Sequence, residues 1–411
     1  MAESQKINKI VNEIFSGFFT EEQKAEIEKL FRRSRRETKT DLKISKRVKE
    51  QVEFEPADQL QFSTQVDLLI TFSKTRLDPD KFIELLFHLG QTSIILGEFK
   101  TALDIFERII RVSKNNSVFK NLEAHAHLEA GNIHSRQAKW ESSFQAVRKA
   151  ENIFKSQNDP KGCAMCENML GTIYGDMGDL KKSTAHFESA LDYIQDEDDY
   201  DLIGRVEINL GIVNNIRGNY DQALSYFKRA LISFQKINNL RRIAEIRHNI
   251  GMVYTKLNKF DTAIKEFDQA ISISFQISYL PTIAISYLSK AFIYTKQEDF
   301  VLADAFADKS MEFAYKLNDK LSIADIYKIK GIIQREMEKY QAAENYLLTS
   351  LRLNKELKNK LNAAETSSEL GILYKVTGDL KQSRKFFKRA LEYYRSIDSE
   401  RDIKIIEDLI S

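Results

Sequence analysis

The chain has 411 residues, a formal net charge of +2, and 15 glycines but only 4 prolines. With 43% apolar residues it is too hydrophobic for a disordered polyelectrolyte, and so few glycines and prolines argue against a loop-rich β sandwich or barrel. Near-zero net charge also argues against a protein whose whole surface binds polyanions. Composition therefore favours an ordered, helical protein.

The first residues predict no targeting signal. Charged side chains from Glu3 to Glu13 interrupt every apolar run, so a signal-peptide core is absent. No run of about 18 apolar residues occurs, which predicts no membrane span. The two cysteines, Cys163 and Cys166, are too few to cross-link the chain and fit a reducing compartment. We therefore expect a cytoplasmic protein.

A repeat of 40 residues is the strongest pattern in the sequence. Eight segments align on one register position, spaced 41 residues apart once and 40 residues apart thereafter. The register residues are Gly90, Gly131, Gly171, Gly211, Gly251, Ala291, Gly331 and Gly371. We number the corresponding copies 1 to 8 from the N-terminus.

Each copy predicts two amphipathic helices joined by a tight turn. A large apolar residue such as Tyr220 lies nine positions after the register residue in all eight copies. Apolar residues then recur at helical spacing, as at Ala223 and Phe227, which is typical of a helix that faces a core. Between the two stripes, glycines expected to end the leading helix in the left-handed conformation occur at Gly97, Gly178, Gly218 and Gly378.

The register glycine itself predicts a close contact between the two helices. Glycine inside a helix costs about 1 kcal/mol relative to alanine, so its recurrence requires a compensating gain. We expect the trailing helix to approach the bare backbone of the leading helix there, with Ala291 as the exception. Pro79, Pro160 and Pro281 lie ten or eleven residues before a register position, where they predict the first turn of a leading helix.

These residues resemble the tetratricopeptide repeat family. The family's contact pattern is matched by Leu210, Gly211, Tyr220, Ala223, Phe227 and Ala230 and by their equivalents. The resemblance covers residues 80–396, although each copy is six residues longer than the family's basic unit of about 34. It implies an all-α fold: a right-handed superhelical solenoid of eight helical hairpins.

The two ends differ from the repeats. Residues 397–411, with Ser399 as N-cap and Ile403, Ile406 and Ile410 on one face, predict a helix that caps the last hydrophobic surface. Residues 1–79 predict a helical, partly basic N-terminal extension. Within it, Thr20 and the residue three positions later, Gln23, resemble a capping box.

A cluster of basic residues lies within this extension. Residues 24–49 hold eleven lysines and arginines against four acidic residues. This segment is either a solvated helix and linker or a surface for anionic lipid, nucleic acid or an acidic partner. The candidate residues of this patch are Arg32, Arg33, Arg35, Arg36, Lys46 and Arg47.

The sequence contains little that indicates a metal site or a catalytic site. The Cys163–Cys166 pair supplies two ligands where zinc takes four, so packing is the preferred interpretation. His125, His127 and His134 cluster in copy 2, but His134 replaces tyrosines of other copies, which favours packing as well. Because no nucleophile, phosphate-binding or metalloprotease motif occurs, we expect no cofactor, no metal and no enzymatic activity.

The resemblance implies a binding groove lined by the leading helices. In the family its side chains come from positions six, three and two before the register residue and one, four and five after it. The predicted groove residues are Arg205, Asn209, Ile212, Asn215, Glu245, His248, Asn249, Met252, Phe292, Lys296, Asp325, Lys328, Arg335, Glu365, Glu369 and Lys375. Asn209 and Asn249 resemble asparagines of peptide-binding relatives, whose amides hold a ligand backbone.

The resulting functional prediction is a protein–protein interaction scaffold or adaptor. Its groove would bind a peptide or helical segment of a partner, with Ile212, Met252 and Phe292 as apolar anchors. One alternative is a peptide-responsive bacterial signalling regulator with the N-terminal segment as effector, resembling response-regulator phosphatases. A second alternative is docking to nucleic acid or an anionic membrane through residues 24–49.

Overall fold

All regular structure in the described part of the chain is helical. The computed structural model describes residues 17–30, 57–114, 116–195, 198–317, 319–357, 359–396 and 399–410. No strand occurs among these residues, so the all-α prediction is confirmed. None of the helices described is both long and apolar enough to cross a membrane.

Every sequence copy forms a leading and a trailing helix. In chain order the pairs are Pro79–Ile95 with Phe99–Ser113, Lys120–Arg136 with Trp140–Ser156, Pro160–Asp176 with Leu180–Tyr193, Tyr200–Ile216 with Tyr220–Lys236, Leu240–Lys256 with Phe260–Gln276, Leu280–Lys296 with Phe300–Leu317, Lys320–Glu336 with Tyr340–Glu356, and Lys360–Val376 with Leu380–Ser396. A short 3-10 helix, Ser117–Phe119, precedes the second pair, and helices Ala57–Lys74 and Glu400–Ile410 flank the series. Residues 21–30 are also helical.

The chain divides into two compact units. Unit 1 comprises Met1–Tyr174 and Glu188–Gln195, and unit 2 comprises Gly175–Phe187 and Asp196–Ser411. The division falls inside copy 3, whereas the sequence placed domain boundaries after residues 79 and 396. Those boundaries and the superhelical handedness stay predictions.

In unit 1 the N-terminal extension shares a core with copy 1. Phe62 and Leu69 of helix Ala57–Lys74 are buried in one cluster with Leu85 and Phe106. The predicted capping box opens the helical segment 21–30: the Thr20 N–H donates to Gln23 Oε1 at 3.0 Å, and the Gln23 N–H donates to Thr20 Oγ1 at 3.3 Å. The extension is therefore packed structure where it is described.

The register glycines lie where the two helices of a pair touch. A Cβ atom on Gly251 would lie 2.6 Å from Cε1 of Phe267, and one on Gly211 would lie 2.5 Å from Cε1 of Phe227. Both rings belong to trailing helices and are almost completely buried. The predicted close approach is confirmed at these two positions, where a ring of the trailing helix fills the space that a side chain would need.

The turns inside the pairs use the left-handed conformation. The four turn glycines have φ between +80° and +87°, as the sequence predicts. In copies 2, 5, 6 and 7 the same conformation, with φ between 55° and 61°, is held by Ala138, Asn258, Glu298 and Glu338. The turn geometry is thus the same whether or not glycine is present.

Helix Glu400–Ile410 covers the last pair. Ile406 is buried and packs with Leu391 and Tyr394 of copy 8, with Ile403 beside it. The prediction that Ile410 shares this face is wrong, because its side chain is 42% exposed. Leu409 packs against the copy 8 cluster in its place. The capping role is supported by these contacts.

The leading helices of unit 2 form one layer. Each of them, from copy 4 to copy 7, contacts the leading helix of the next copy as well as its own trailing helix. Because the same face of each leading helix recurs along this layer, equivalent side chains of successive copies become neighbours. The candidate site lies on this layer.

Candidate functional site

A cavity of ≈ 650 Å³ opens on the leading helices of copies 5 to 8. We call it the unit 2 cavity. Its volume is in the range of sites that hold small ligands or short peptide segments. A second cavity of ≈ 430 Å³ adjoins it and shares Phe292, Lys296, Ile332 and Glu369 with it.

The floor of the unit 2 cavity is apolar. Met252, Phe292 and Ile332 occupy the position directly after the register residue in three successive copies, and all three line the cavity. Leu288 and Ile329 complete the floor. The register residue is buried against the trailing helix, so its successor is turned toward the open face and remains only half-buried.

The rim over copies 7 and 8 carries a network of charges. The Lys328 ammonium pairs with Glu365 of the next leading helix and lies 3.5 Å from Asp325 Oδ1. Asn362 Nδ2 donates to the same Asp325 oxygen at 2.9 Å. Burial disfavours the charged form of Lys328, but the two carboxylates outweigh it and raise the pKa of Lys328. These contacts tie the two leading helices together.

Arg335 makes the second ion pair between the same copies. Its Nη1 donates to Glu369 Oε2 at 2.6 Å, and Nη2 lies 2.8 Å from Glu336 Oε1. Burial alone would lower the pKa of Arg335, yet the neighbouring carboxylates raise it. The guanidinium lines the second cavity but is already neutralised.

About half of the predicted groove residues meet at these cavities. The unit 2 cavity is lined by Met252, Phe292, Lys296, Asp325, Lys328, Glu365 and Glu369, and the second cavity adds Arg335. The copy 4 residues Arg205, Asn209, Ile212 and Asn215 do not line either cavity, and neither does Asn249. Their role as ligand contacts stays a prediction.

His248 is wrong as a groove residue. Its side chain is buried, its Nδ1 lies 3.0 Å from Ser286 Oγ, and its ring is 5.3 Å from that of Phe267. Burial lowers the pKa of His248 to about 4. In copy 5 this side chain packs between neighbouring helices, whereas Leu288 and Lys328, at the equivalent positions of copies 6 and 7, line the unit 2 cavity.

Glu245 and Lys375 also serve the protein's own structure. Glu245 accepts hydrogen bonds from Arg241 at 3.1 Å, Arg242 at 2.7 Å and Tyr279 Oη at 3.0 Å. Lys375 Nζ donates to the Leu409 carbonyl at 2.6 Å. It thereby satisfies a carbonyl at the end of the capping helix, where a cation is favourable.

The cavity also contains residues that the prediction omitted. Lys256 and Leu288 stand five positions after and three positions before their register residues, so the positional rule applied to every copy would have found them. Tyr394 comes from a trailing helix, and no leading-helix rule points to it. Tyr394 lines the cavity because of the way in which the two helices of copy 8 pack together.

The remaining sequence candidates do not form a metal or reactive site in the described residues. Cys163 and Cys166 are free and buried, and burial raises the pKa of both thiols. No group of three or more His, Cys, Asp or Glu side chains arranged to hold a metal occurs among the residues that the structure describes. The basic patch, Arg32, Arg33, Arg35, Arg36, Lys46 and Arg47, lies outside them.

Comparison with known proteins supports the repeat assignment. The model of the tetratricopeptide repeat family matches residues 161–236, 202–276 and 322–396. No curated protein sequence matches the chain.

Three solved structures share the fold over most of both chains. A Rap protein complexed with competence and sporulation factor has a TM-score of 0.61 at 14% identity, covering 84% of this chain and 95% of that chain. Aspartyl phosphate phosphatase F from Bacillus subtilis has a TM-score of 0.60 at 13% identity, covering 86% of this chain and 97% of that chain. The apo form of the quorum sensor NprR from B. thuringiensis has a TM-score of 0.60 at 16% identity, covering 82% of this chain and 94% of that chain. At such low identity the likeness concerns the fold alone.

Proposed function

The chain is a tetratricopeptide-repeat protein, and on that premise we propose that it is a non-catalytic adaptor whose unit 2 cavity holds a peptide segment of a partner protein. The observation that carries this proposal is the accessible apolar floor on consecutive leading helices. Met252, Phe292 and Ile332 form a row across copies 5 to 7. Such a row offers buried contact area to successive apolar side chains of one ligand.

The charges around the floor support the same role. The Lys328–Glu365 and Arg335–Glu369 pairs join copies 7 and 8 across the cavity rim. A site whose walls are already held together loses little conformational freedom when a ligand binds, which favours affinity. The polar rim around an apolar centre is also the usual anatomy of a protein-binding surface.

A second candidate is a regulator that changes conformation when a peptide binds. It is favoured by the fold likeness to a Rap protein complexed with competence and sporulation factor and to a quorum sensor. Small-angle scattering separates the two candidates. Compaction of the chain on saturation with a peptide favours the regulator, whereas an unchanged scattering profile favours the rigid adaptor.

Selection of binders from a phage-displayed library of random peptides tests the adaptor proposal on the full chain. Enriched peptides should lose about tenfold or more in affinity for the double variant F292S/I332S, because truncation of central apolar anchors costs more than about 1 kcal/mol each. The matched control is V301S/L302S, which removes two exposed apolar side chains from the trailing helix of copy 6. Thermal unfolding of both variants checks that they are folded.

Two results would contradict the proposal. One is a set of peptides that binds F292S/I332S as tightly as the wild type. The other is the absence of any enriched peptide from a library that yields binders to a known peptide-binding protein treated in the same way.

A further inference from the structure

The trailing helix of copy 8 carries a row of cations on its exposed side. Helix Leu380–Ser396 holds six lysines and arginines against one acidic residue, Glu392. Five of the six cations stand at positions i, i+3, i+4, i+7 and i+8, which is the spacing of one helix face. They are Lys381, Arg384, Lys385, Lys388 and Arg389, and all five are exposed. We call them the basic stripe, and at 1.5 Å per residue it is about 12 Å long.

The protein does not neutralise the basic stripe. Among the residues that the structure describes, none of its five side chains forms an ion pair, whereas Arg395 near the end of the same helix pairs with Glu407 of the capping helix at 2.9 Å. Arg389 and Lys385 instead lie 5.3 Å and 6.0 Å from the centroid of the Phe386 ring. Like charges so close together repel one another, so contact with an external anion is favourable.

Helix packing does not account for the basic stripe. In copies 4 to 7 the position of Lys381 is occupied by Asp221, Asp261, Val301 and Gln341. The trailing helices of copies 5 and 6 carry more acidic than basic residues. Since these helices pack on their leading helices without such a row of cations, the charges of copy 8 are available for a partner.

The basic stripe is open to solvent and has an apolar end. None of its five side chains lines either cavity, so the stripe is separate from the proposed peptide site. At its N-terminal end, Val376 and Leu380 flank the turn of copy 8 and are 56% and 55% exposed. Leu380 stands one helical turn before Arg384 and on the same side of the helix. This combination suits a partner that is anionic and also accepts an apolar side chain.

We propose that the basic stripe docks the protein on the surface of an anionic lipid bilayer, with Leu380 entering the headgroup region. The negative potential of such a surface attracts every lysine and arginine near it and demands no matching shape. Burial of an apolar side chain at the interface adds to this attraction. The long stems of lysine and arginine also let their charged groups reach the headgroups from one helix face.

A nucleic acid fits the same surface less well. Proteins that bind single strands stack the bases on aromatic side chains, and none of the exposed residues of helix Leu380–Ser396 is aromatic. Contacts to a phosphate backbone commonly include amides and hydroxyls, whereas the basic stripe consists of charges alone. A phosphate backbone also gains nothing from Leu380.

Sedimentation with lipid vesicles tests the proposal on the full chain. Vesicles of phosphatidylcholine alone are compared with vesicles of equal parts phosphatidylcholine and phosphatidylglycerol. The variant K385Q/K388Q removes two charges of the basic stripe. Its matched control, K228Q/K265Q, removes two exposed lysines from the equivalent positions of the trailing helices of copies 4 and 5.

A second pair of variants tests the apolar contact. L380S truncates the exposed leucine, and V301S truncates an exposed valine on the trailing helix of copy 6 as its control. Thermal unfolding checks that all four variants are folded.

We expect the wild type to sediment with the anionic vesicles and not with the neutral ones. K385Q/K388Q should bind about tenfold or more weakly, because each lysine near an anionic surface contributes about fivefold, and K228Q/K265Q should change by less than about twofold. Higher salt should weaken the binding. L380S should lose about threefold and V301S almost nothing.

Three results would overturn the proposal. The first is a wild-type chain that does not sediment with the anionic vesicles. The second is equal affinity of K385Q/K388Q and K228Q/K265Q, which would assign lipid binding to another surface. The third is tighter binding to a labelled oligonucleotide than to the anionic vesicles at the same salt, lost in K385Q/K388Q, which would assign the basic stripe to nucleic acid.

The apolar contact has its own contrary result. Equal affinities of L380S and V301S for the anionic vesicles contradict the entry of Leu380 into the headgroup region. Because the basic stripe lies outside the unit 2 cavity, failure of the membrane proposal leaves the proposed peptide-binding function unchanged.

Discussion

Ala291 and Ala307 of copy 6 together occupy the two facing positions that Gly251 and Phe267 hold in copy 5, and both alanines are completely buried. In copy 5 the ring of Phe267 lies against the bare backbone of Gly251. In copy 6 the register position has gained a methyl group and its partner has lost a ring. The exception in the glycine series is therefore compensated within its own helix pair.

This pairing predicts the effect of G251A. The added Cβ would lie 2.6 Å from Cε1 of Phe267, so we expect a loss of about 1–3 kcal/mol in the free energy of unfolding, despite alanine's higher helix propensity. F267A alone should cost about 3–5 kcal/mol. The double variant G251A/F267A should lose less free energy of unfolding than the two single variants together, because the added Cβ no longer meets a ring. Denaturant unfolding measures all three.

The matched control is G175A, another glycine inside a leading helix. Its Cβ would approach only the Ser183 hydroxyl, at 3.2 Å, so a change near zero is expected. Strict additivity of G251A and F267A would contradict the packing explanation.

The buried His248 predicts a dependence of stability on pH. Burial lowers the pKa of its imidazole from 6.5 to about 4, so the folded protein holds the neutral form. Below about pH 6.5 the unfolded chain takes up a proton that the folded chain does not, and the free energy of unfolding falls by about 1.4 kcal/mol per pH unit until the pKa near 4.

The variant H248Q isolates this contribution, since glutamine does not titrate and can still hydrogen-bond Ser286. Denaturant unfolding at several pH values between 4 and 7 should show a shallower slope for H248Q than for the wild type. Equal slopes would show that His248 is protonated to the same extent in both states.

The left-handed turn of copy 7 predicts a stabilising substitution. Glu338 has φ of 61°, a conformation that costs a residue with a side chain about 1 kcal/mol more than it costs glycine. We expect E338G to raise the free energy of unfolding by about 0.5–1 kcal/mol, part of the gain being offset by the greater freedom of glycine in the unfolded chain.

The control for this turn is E392G, on the exposed face of helix Leu380–Ser396 and one turn before its end. There glycine should lower the stability by about 1 kcal/mol. If E338G destabilises as E392G does, the turn conformation is not the deciding factor.

The buried cysteines predict slow chemical modification. Cys166 has no exposed surface, Cys163 is 4% exposed, and burial raises the pKa of both thiols. Because the thiolate is the reactive form, iodoacetamide should label neither residue appreciably in the folded protein and both rapidly in denaturant. Mass spectrometry of the intact chain counts the adducts. Complete labelling of the folded protein at the rate of a small free thiol would contradict this burial.

Much of the fold is readable from the sequence because its signals are local and periodic. The register glycines, the turn glycines and the prolines at helix starts each act within one helix pair, over at most about twenty residues. The capping box of Thr20 and Gln23 is equally local. Repetition of these signals every 40 residues identifies the helix pairs without knowledge of any contact between copies.

Only the tertiary structure decided which side chains of the leading helices remain accessible and unpaired. Sequence position treats His248, Lys328 and Lys296 alike, as members of one helical face. Stacking then buries His248 beside Ser286, 38 residues away, and pairs Lys328 with Glu365, 37 residues away, while leaving Lys296 without a carboxylate partner among the described residues. The physical reason is that burial and charge neutralisation come from the neighbouring copy, whose side chains the pattern of a single copy does not contain.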